Sequence, residues 1–181
     1  MSSAYHEKFT KICKMYILYI KIKKLKAFKL KLNDIFTLYY HSSNNNNWSF
    51  DSYKKIFTFD NIAEFWILYN NHKNLCNGMY FLMKNKIKPL YEDKYNKKGG
   101  YWSIKVSEND INKIWLNLLL DLVGNNISKK KNIVNGLSLV YKKKFYIIKI
   151  WIKNKKYNNL DYLNLNLNNN KYNMMYNNFF N

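Results

Sequence analysis

Apolar and polar residues alternate in step along several short stretches of this chain and recur at helical spacing along two others. In residues 27–32, Phe28, Leu30 and Leu32 alternate with Lys29 and Lys31, the pattern of a half-exposed strand. Residues 35–40, 79–83, 87–91, 101–106, 137–141 and 145–152 are further strand candidates. Asn85-Lys86 supplies a turn before the third of these, Gly99-Gly100 opens the fourth, and Lys142, Lys143 and Lys144 join the last two. Residues 60–71 read as a helix. Asp60 stands as its N-cap, Glu64 suits the positive end of the dipole, and Ile62, Trp66 and Tyr69 recur at i, i+4 and i+7 beside a stripe of Phe65 and Leu68. Residues 107–123 form the stronger helical pattern. Ser107 with Asp110 resembles a capping box, and Gly124 sits where a glycine C-cap belongs. Ile111, Ile114, Trp115, Leu118, Leu119 and Leu122 make one broad apolar face, and Leu116 and Leu120 lie off it. A helix this apolar all round is either fully buried or has a second partner. Helices interrupting an antiparallel sheet predict an α+β fold.

Three regions follow from this pattern. Residues 1–30 form a basic N-terminal arm, residues 31–170 the folded domain, and residues 171–181 a polar C-terminal tail. Asn44 to Asn47 make a polar loop, and Trp48 stands at its end. The most apolar N-terminal stretch, residues 15–22, contains Lys21 and runs into Lys23, Lys24 and Lys26, so it is too short and too charged to span a bilayer. Cys13 and Cys76 form no C-x-x-C pair, which argues against a zinc site or a disulfide scaffold. With no secretory signal in view, a reducing cytoplasmic location is expected.

Composition sharpens the choice of partner. The 181 residues are 48% apolar, enough to bury a core, and 18% aromatic. All 31 cationic side chains are lysine against 11 acids, for a net charge of +20. A chain without arginine and rich in Lys, Asn, Ile and Tyr carries the mark of an AT-rich genome, which accounts for part of that charge. Whatever its origin, the field favours polyanions, nucleic acid first and an anionic membrane surface second.

No catalytic constellation emerges. His6, His41 and His72 lie in no catalytic context, and neither phosphate-binding glycine motif is present. Glu92 and Asp93 are adjacent, so on an extended backbone their side chains point apart. The pattern is that of a binding protein with no cofactor. Its most informative stretch, PLYEDKYNKKGGYW at residues 89–102, sets Tyr91 directly beside Glu92. A ring next to an acid on a basic protein suits a flat ligand with hydrogen-bond donors on its edge and negative charge trailing from it.

Four segments together resemble the cap-binding translation initiation factor 4E family: FDNIAEFWILYNNH (59–72), NKIKPLYEDKYNKKGGYW (85–102), IWLNLLLDLVGN (114–125) and the hairpin 136–151 ending in IKIW. They occur in family order across residues 32–152, about two thirds of the chain. The resemblance implies a curved antiparallel sheet with helices on its convex face and the 7-methylguanosine cap of mRNA on the concave side. It implies that Trp48 and Tyr91 sandwich the guanine, that Glu92 reads its N1 and N2 donors, and that Trp151 lies near the N7 methyl group. The family usually has Trp where this chain has Tyr91. Trp102 matches a family tryptophan with a supporting role. The family's phosphate-binding positions fall at Lys142 and, five residues on, at Ile147, which implies either that Lys143 or Lys144 substitutes for the second or that the triphosphate is held differently. Ile62, Trp66, Leu116 and Leu120 match the dorsal surface that docks a Tyr-x-x-x-x-Leu helix of a scaffold protein. Asn117 replaces a family acid there, and Leu30-Lys31-Leu32 replaces a His-Pro-Leu segment. Residues 157–167 must supply any counterpart of the family's last helix and strand. The implied function is recruitment of capped mRNA for translation initiation, without enzymatic activity. The alternative is a cap-binding repressor or decoy that engages no initiation scaffold.

Overall fold

The computed structural model describes residues 30–72, 78–165, 167 and 171–180. The basic arm, with His6 and Cys13, lies outside the described residues, as do Cys76 and the first half of the strand expected at 27–32. Seven strands form one antiparallel sheet: β1 (Lys31–His41), β2 (Lys54–Asn61), β3 (Met79–Lys84), β4 (Gly100–Ser107), β5 (Val134–Tyr141), β6 (Phe145–Ile152) and β7 (Met174–Asn178). Their spatial order is β2-β1-β3-β5-β6-β4-β7. Two helices, α1 (Ile62–Asn71) and α2 (Ile111–Val123), complete the curved α+β fold.

Strand periodicity divides the apolar residues between the two faces of the sheet. Phe36 and Leu38 of β1, Leu82 of β3, Trp102, Ile104 and Val106 of β4, Leu137 and Leu139 of β5, and Ile148, Ile150 and Ile152 of β6 face both helices and build the main core. Phe65 and Leu68 of α1 join it, as does the broad face of α2 from Ile111 to Val123. The intervening residues point to the other face, where Tyr39, Tyr53, Phe81, Met83, Ile87 and Trp151 form a second, smaller cluster. The sheet is therefore apolar on both sides, one side covered by helices and the other by loops.

The helix ends depart from expectation in instructive ways. Asn61, not Asp60, caps α1: its Oδ1 accepts from the Glu64 N–H at 3.0 Å. Asp60 is still in β2 and lies 3.7 Å from Lys31 Nζ. His72 closes α1, with Nδ1 3.2 Å from the Leu68 carbonyl. At α2 the Ser107–Asp110 pair does form, the hydroxyl donating to the carboxylate at 2.9 Å, but it caps no backbone N–H. Asp110 already has helical dihedrals and turns its carboxylate to Ser107 and to Lys171, 2.8 Å away. Those two partners hold its carboxyl below the ordinary range, Lys171 the more strongly. Gly124 ends α2 as expected, donating to the Leu120 carbonyl at 2.8 Å.

Three other expectations are corrected. Residues 87–91 are not a strand, because Pro89 has no N–H to give a ladder and the segment folds into turns. Residues 54–61, absent from the strand candidates and overlapping the expected helix at 60 and 61, form β2, which runs into α1 without a loop. The polar tail at 171–181 contains β7, which pairs along β4 from Gly100↔Asn178 to Ile104↔Met174. Backbone pairing with β4 and burial of Tyr172 hold this Asn-rich segment in the sheet. Around 157–167 the described residues make short 3-10 turns at Lys155–Tyr157 and Leu160–Tyr162.

Candidate functional site

On the sheet face opposite the helices, a cavity of about 430 Å³ is lined by Trp48, Tyr53, Phe81, Tyr91, Glu92, Lys149 and Trp151, among others. Two loops, β1–β2 and β3–β4, and three strands, β3, β5 and β6, bring these residues together from across the sequence.

Trp48 stands at the rim, 53% exposed, and is fixed from behind. Its ring lies parallel to His41, centroids 4.4 Å apart and 3° between planes. His41, at the end of β1, is itself buried, and its Nε2 lies 2.8 Å from the Asn47 carbonyl. The asparagines before Trp48 fold their own backbone. The Asn47 N–H donates to Asn45 Oδ1, and the Ser49 N–H to Asn47 Oδ1, each at 2.9 Å. These are the side-chain turns that Asn favours, so the polar run is a shaped loop.

Tyr91 and Glu92 sit on the loop between β3 and β4, and that loop is pinned at two points. Asn96 is fully buried, and its amide donates to the Lys88 and Leu90 carbonyls at 2.9 and 2.7 Å. Asn96 Oδ1 accepts from Asn135 Nδ2 at 2.8 Å, and the same nitrogen also donates to the Tyr95 carbonyl. Asn135 reaches the loop because β5 bulges between Val134 and Gly136, which re-aims its side chain. Asp93 turns its carboxylate back onto the loop, accepting from the Tyr95 N–H at 2.9 Å and the Lys88 N–H at 3.3 Å. Glu92, its neighbour, is exposed toward the cavity and makes no ion pair among the described residues. The two acids thus divide into one that holds the loop and one that is free. The loop rejoins the sheet at Gly99, where a Cβ would collide with the Ile152 carbonyl.

The Tyr91 ring packs against Phe179, Trp151 and Tyr101, with centroids 4.6, 5.3 and 6.1 Å away. Burial pushes its phenol pKa up, and the Glu92 charge adds to the rise. Tyr53, deeper in, is pushed up to about 12 by burial and then by Tyr91 and Glu92. Both phenols therefore stay neutral. Trp151 is 1% exposed and closes the cavity floor, its Nε1 donating to Ser138 Oγ at 2.9 Å. Trp102 lies on the other side of the sheet in the main core, against Tyr176, as its supporting role implied.

Lys142, Lys143 and Lys144 occupy the β5–β6 turn and are exposed. The Lys142 N–H donates to the Phe145 carbonyl at 2.8 Å, and Lys143 takes a left-handed φ of 62°. None of the three lines the cavity, which reaches along β5 as far as Val140. Ile147, opposite Val140, does not line it either. On the helical side, Ile62, Trp66 and Leu120 are 39–40% exposed and Leu116 is half-buried. Trp66 is buttressed edge-on by Phe65 and Tyr69.

Sequence reasoning missed His41, Lys149 and Phe179. Lys149 had a signal: it lies two residues before Trp151 on the same strand, hence on the same face. A larger depression of about 770 Å³ lies near Lys55, Lys84 and Lys153. Tyr39, Phe50 and Tyr95 are among its lining residues, and Lys84 there is already bound to Asp34 at 2.9 Å. Among the described residues no cluster of His, Cys, Asp and Glu could hold a metal, and no helix is long and apolar enough to cross a membrane.

Together these features define an α+β protein with a ring-sized slot on one face of its sheet and an apolar helical surface on the other. The model of the eukaryotic initiation factor 4E family matches residues 31–177, and the chain belongs to that family. It is 35% identical over 137 residues to eukaryotic translation initiation factor 4E of Candida albicans, covering 69% of this chain and 65% of the relative. It is 30% identical over 134 residues to the Saccharomyces cerevisiae protein, covering 69% and 62%. The chain thus matches just under two thirds of the length of these relatives. Among solved structures it resembles Ascaris suum eIF4E-3 in complex with an m2,2,7G cap, with a TM-score of 0.64 and 25% identity over 72% of this chain and 77% of that one. It likewise resembles Caenorhabditis elegans eIF4E-3 in complex with the 4E-binding protein Mextli and a cap analog, with a TM-score of 0.64 and 28% identity over 70% and 75%.

Proposed function

We propose that this protein binds the 7-methylguanosine cap of mRNA in the aromatic slot and passes it to translation initiation through a scaffold segment docked on α1 and α2. The observation that carries the reading is the meeting of Trp48, Tyr91 and the unpaired Glu92 at one cavity.

In this reading the guanine enters between Trp48 and Tyr91. Stacking on an aromatic side chain is worth ~1–3 kcal/mol per base, and the methylated base is a cation, which adds roughly 1–2 kcal/mol once desolvated. Glu92 accepts from guanine N1–H and N2–H, a bidentate charge-assisted contact that adenine cannot offer. Trp151 meets the methyl side from the cavity floor. The phosphate chain leaves past Val140 toward Lys142, Lys143 and Lys144, whose contribution is electrostatic and salt-dependent. The scaffold partner is a Tyr-x-x-x-x-Leu type helix laid over Ile62, Trp66, Leu116 and Leu120, by the helix-in-groove mode. The relative solved with both Mextli and a cap analog supports a reading in which cap and protein partner are bound together. The protein acts as a binder and not an enzyme, in the cytoplasm.

The test is tryptophan fluorescence quenching by 7-methyl-GTP against GTP. A clear preference for the methylated nucleotide is expected. Equal affinities refute cap binding.

A further inference from the structure

We propose that Lys149 is an anion-binding residue built into the slot, and that the group it takes is the phosphate nearest the sugar of the bound nucleotide. The inference rests on the cap-binding reading and adds to it the residue that neutralises the start of the phosphate chain.

The placement follows from strand register. Trp151 forms the cavity floor, so period-2 alternation turns Lys149 to the same face. Lys149 pairs across the strands with Ser138 and Ser103, in the middle of the sheet rather than at its rim. Its Nζ is held at a fixed spot. It donates to the Tyr91 hydroxyl at 2.8 Å and lies 4.0 Å from the centroid of the Tyr101 ring. A hydroxyl and a ring face thus orient the amine, and neither is a carboxylate. Among the described residues no carboxylate lies within ion-pair distance of it. Burial accordingly pulls its pKa down, and Tyr101 only partly restores it. A half-buried ammonium on the wall of an open cavity, oriented but not neutralised, is a site awaiting an anion.

The charge has a second consequence. The methylated guanine is itself a cation, and both charges would share one cavity of about 430 Å³. Lys149 therefore opposes the base when the base comes alone, and favours it when a phosphate comes with it. Ring and phosphate are coupled through a single side chain. The hairpin lysines do not line the cavity, which reaches along β5 only as far as Val140, whereas Lys149 does. They remain available to the outer phosphates.

The test uses the full chain and two probes, 7-methyl-GTP and 7-methylguanosine, each titrated by tryptophan quenching. Lys149→Met keeps the length and apolar stem of the side chain and removes its charge. It should bind the triphosphate ~tenfold more weakly, the scale of one charge-assisted contact, and the nucleoside at least as tightly as the parent. Lys149→Arg should restore the parent's triphosphate-to-nucleoside ratio, and Tyr91→Phe, which removes the orienting hydroxyl, should lower it severalfold. An unchanged ratio in Lys149→Met overturns the proposal and leaves cap binding intact. Absence of 7-methyl-GTP binding by the parent overturns the cap reading and this proposal with it. Equal losses for both probes would mark a packing role and also overturn it.

Discussion

Replacing Asn96 by Ala tests whether the loop carrying Tyr91 and Glu92 is held as described. Asn96 is fully buried, and its amide makes three hydrogen bonds, to Lys88 O, to Leu90 O and from Asn135 Nδ2. Ala keeps none of them. Leu90 O retains the Asp93 N–H and Asn135 Nδ2 retains the Tyr95 carbonyl, so only Lys88 O loses its partner outright. At about 1 kcal/mol per bond, with that one orphaned carbonyl, the loss comes to ~3 kcal/mol. For a domain of this size the melting temperature should fall by about 6–12 °C. Thermal unfolding followed by circular dichroism measures it. The same variant should bind 7-methyl-GTP more weakly, because the loop positions both the stacking ring and the acid. A melting temperature within about 1 °C of the parent would refute the argument and place the restraint elsewhere, with Asp93 the next candidate.

Glu92→Ala should behave in the opposite way, melting like the parent but losing ~10- to 100-fold in 7-methyl-GTP affinity, because it removes a charge-assisted acceptor that nothing else in the fold uses; parent-like affinity by fluorescence titration would refute its role. Trp66→Ala should weaken binding of a Tyr-x-x-x-x-Leu peptide by more than about tenfold, as a central aromatic contact does, and leave cap affinity unchanged; calorimetric titration of the peptide decides, and undiminished affinity would move the partner site away from α1. Lys84→Met should cost about 3 kcal/mol, the low end for breaking a buried pair, because Asp34, its side chain only 13% exposed, loses its cation and keeps the Asn85 amide. In the parent, burial raises the Asp34 carboxyl, but Lys84, Asn85 and Asn125 outweigh it and the net shift is downward. That stabilisation is present above the ordinary carboxylate range and is lost as the pH falls through the lowered native value. Urea unfolding at several acidic pH values should show this limb in the parent and a shallower one in Lys84→Met.

The sequence made the two-sided strands legible wherever both faces are apolar or plainly alternating, as in β3, β4, β5 and β6. It hid β2 and β7 for different reasons. β2 passes into α1 without a turn, so Asn61 serves as both last strand residue and cap, and no punctuation marks the boundary. β7 sets one Tyr, a good strand former, against two Asn, which strands disfavour, and is held by its partner β4 rather than by its own pattern. At the site, Tyr91 and Glu92 were visible because they are adjacent. Phe179, which packs behind Tyr91, and His41, which packs behind Trp48, were not. Phe179 is brought there by the pairing of β7 with β4, 88 residues along the chain from Tyr91, and His41 by the fold of the loop that returns Trp48 to the end of β1. Lys149 was within reach of alternation once Trp151 had been placed on the slot face.

The stack of His41 on Trp48 bears on the timing of capture. An indole at the rim of a cavity would ordinarily sweep through several rotamers, and a ligand would have to wait for the right one and then freeze it. Here the imidazole already lies flat against its rear face, itself anchored through the Asn47 carbonyl. One wall of the slot is thus upright in the empty protein. On the proposed reading, the encounter with a flat ring is then closer to docking on a standing plate than to closing a hand.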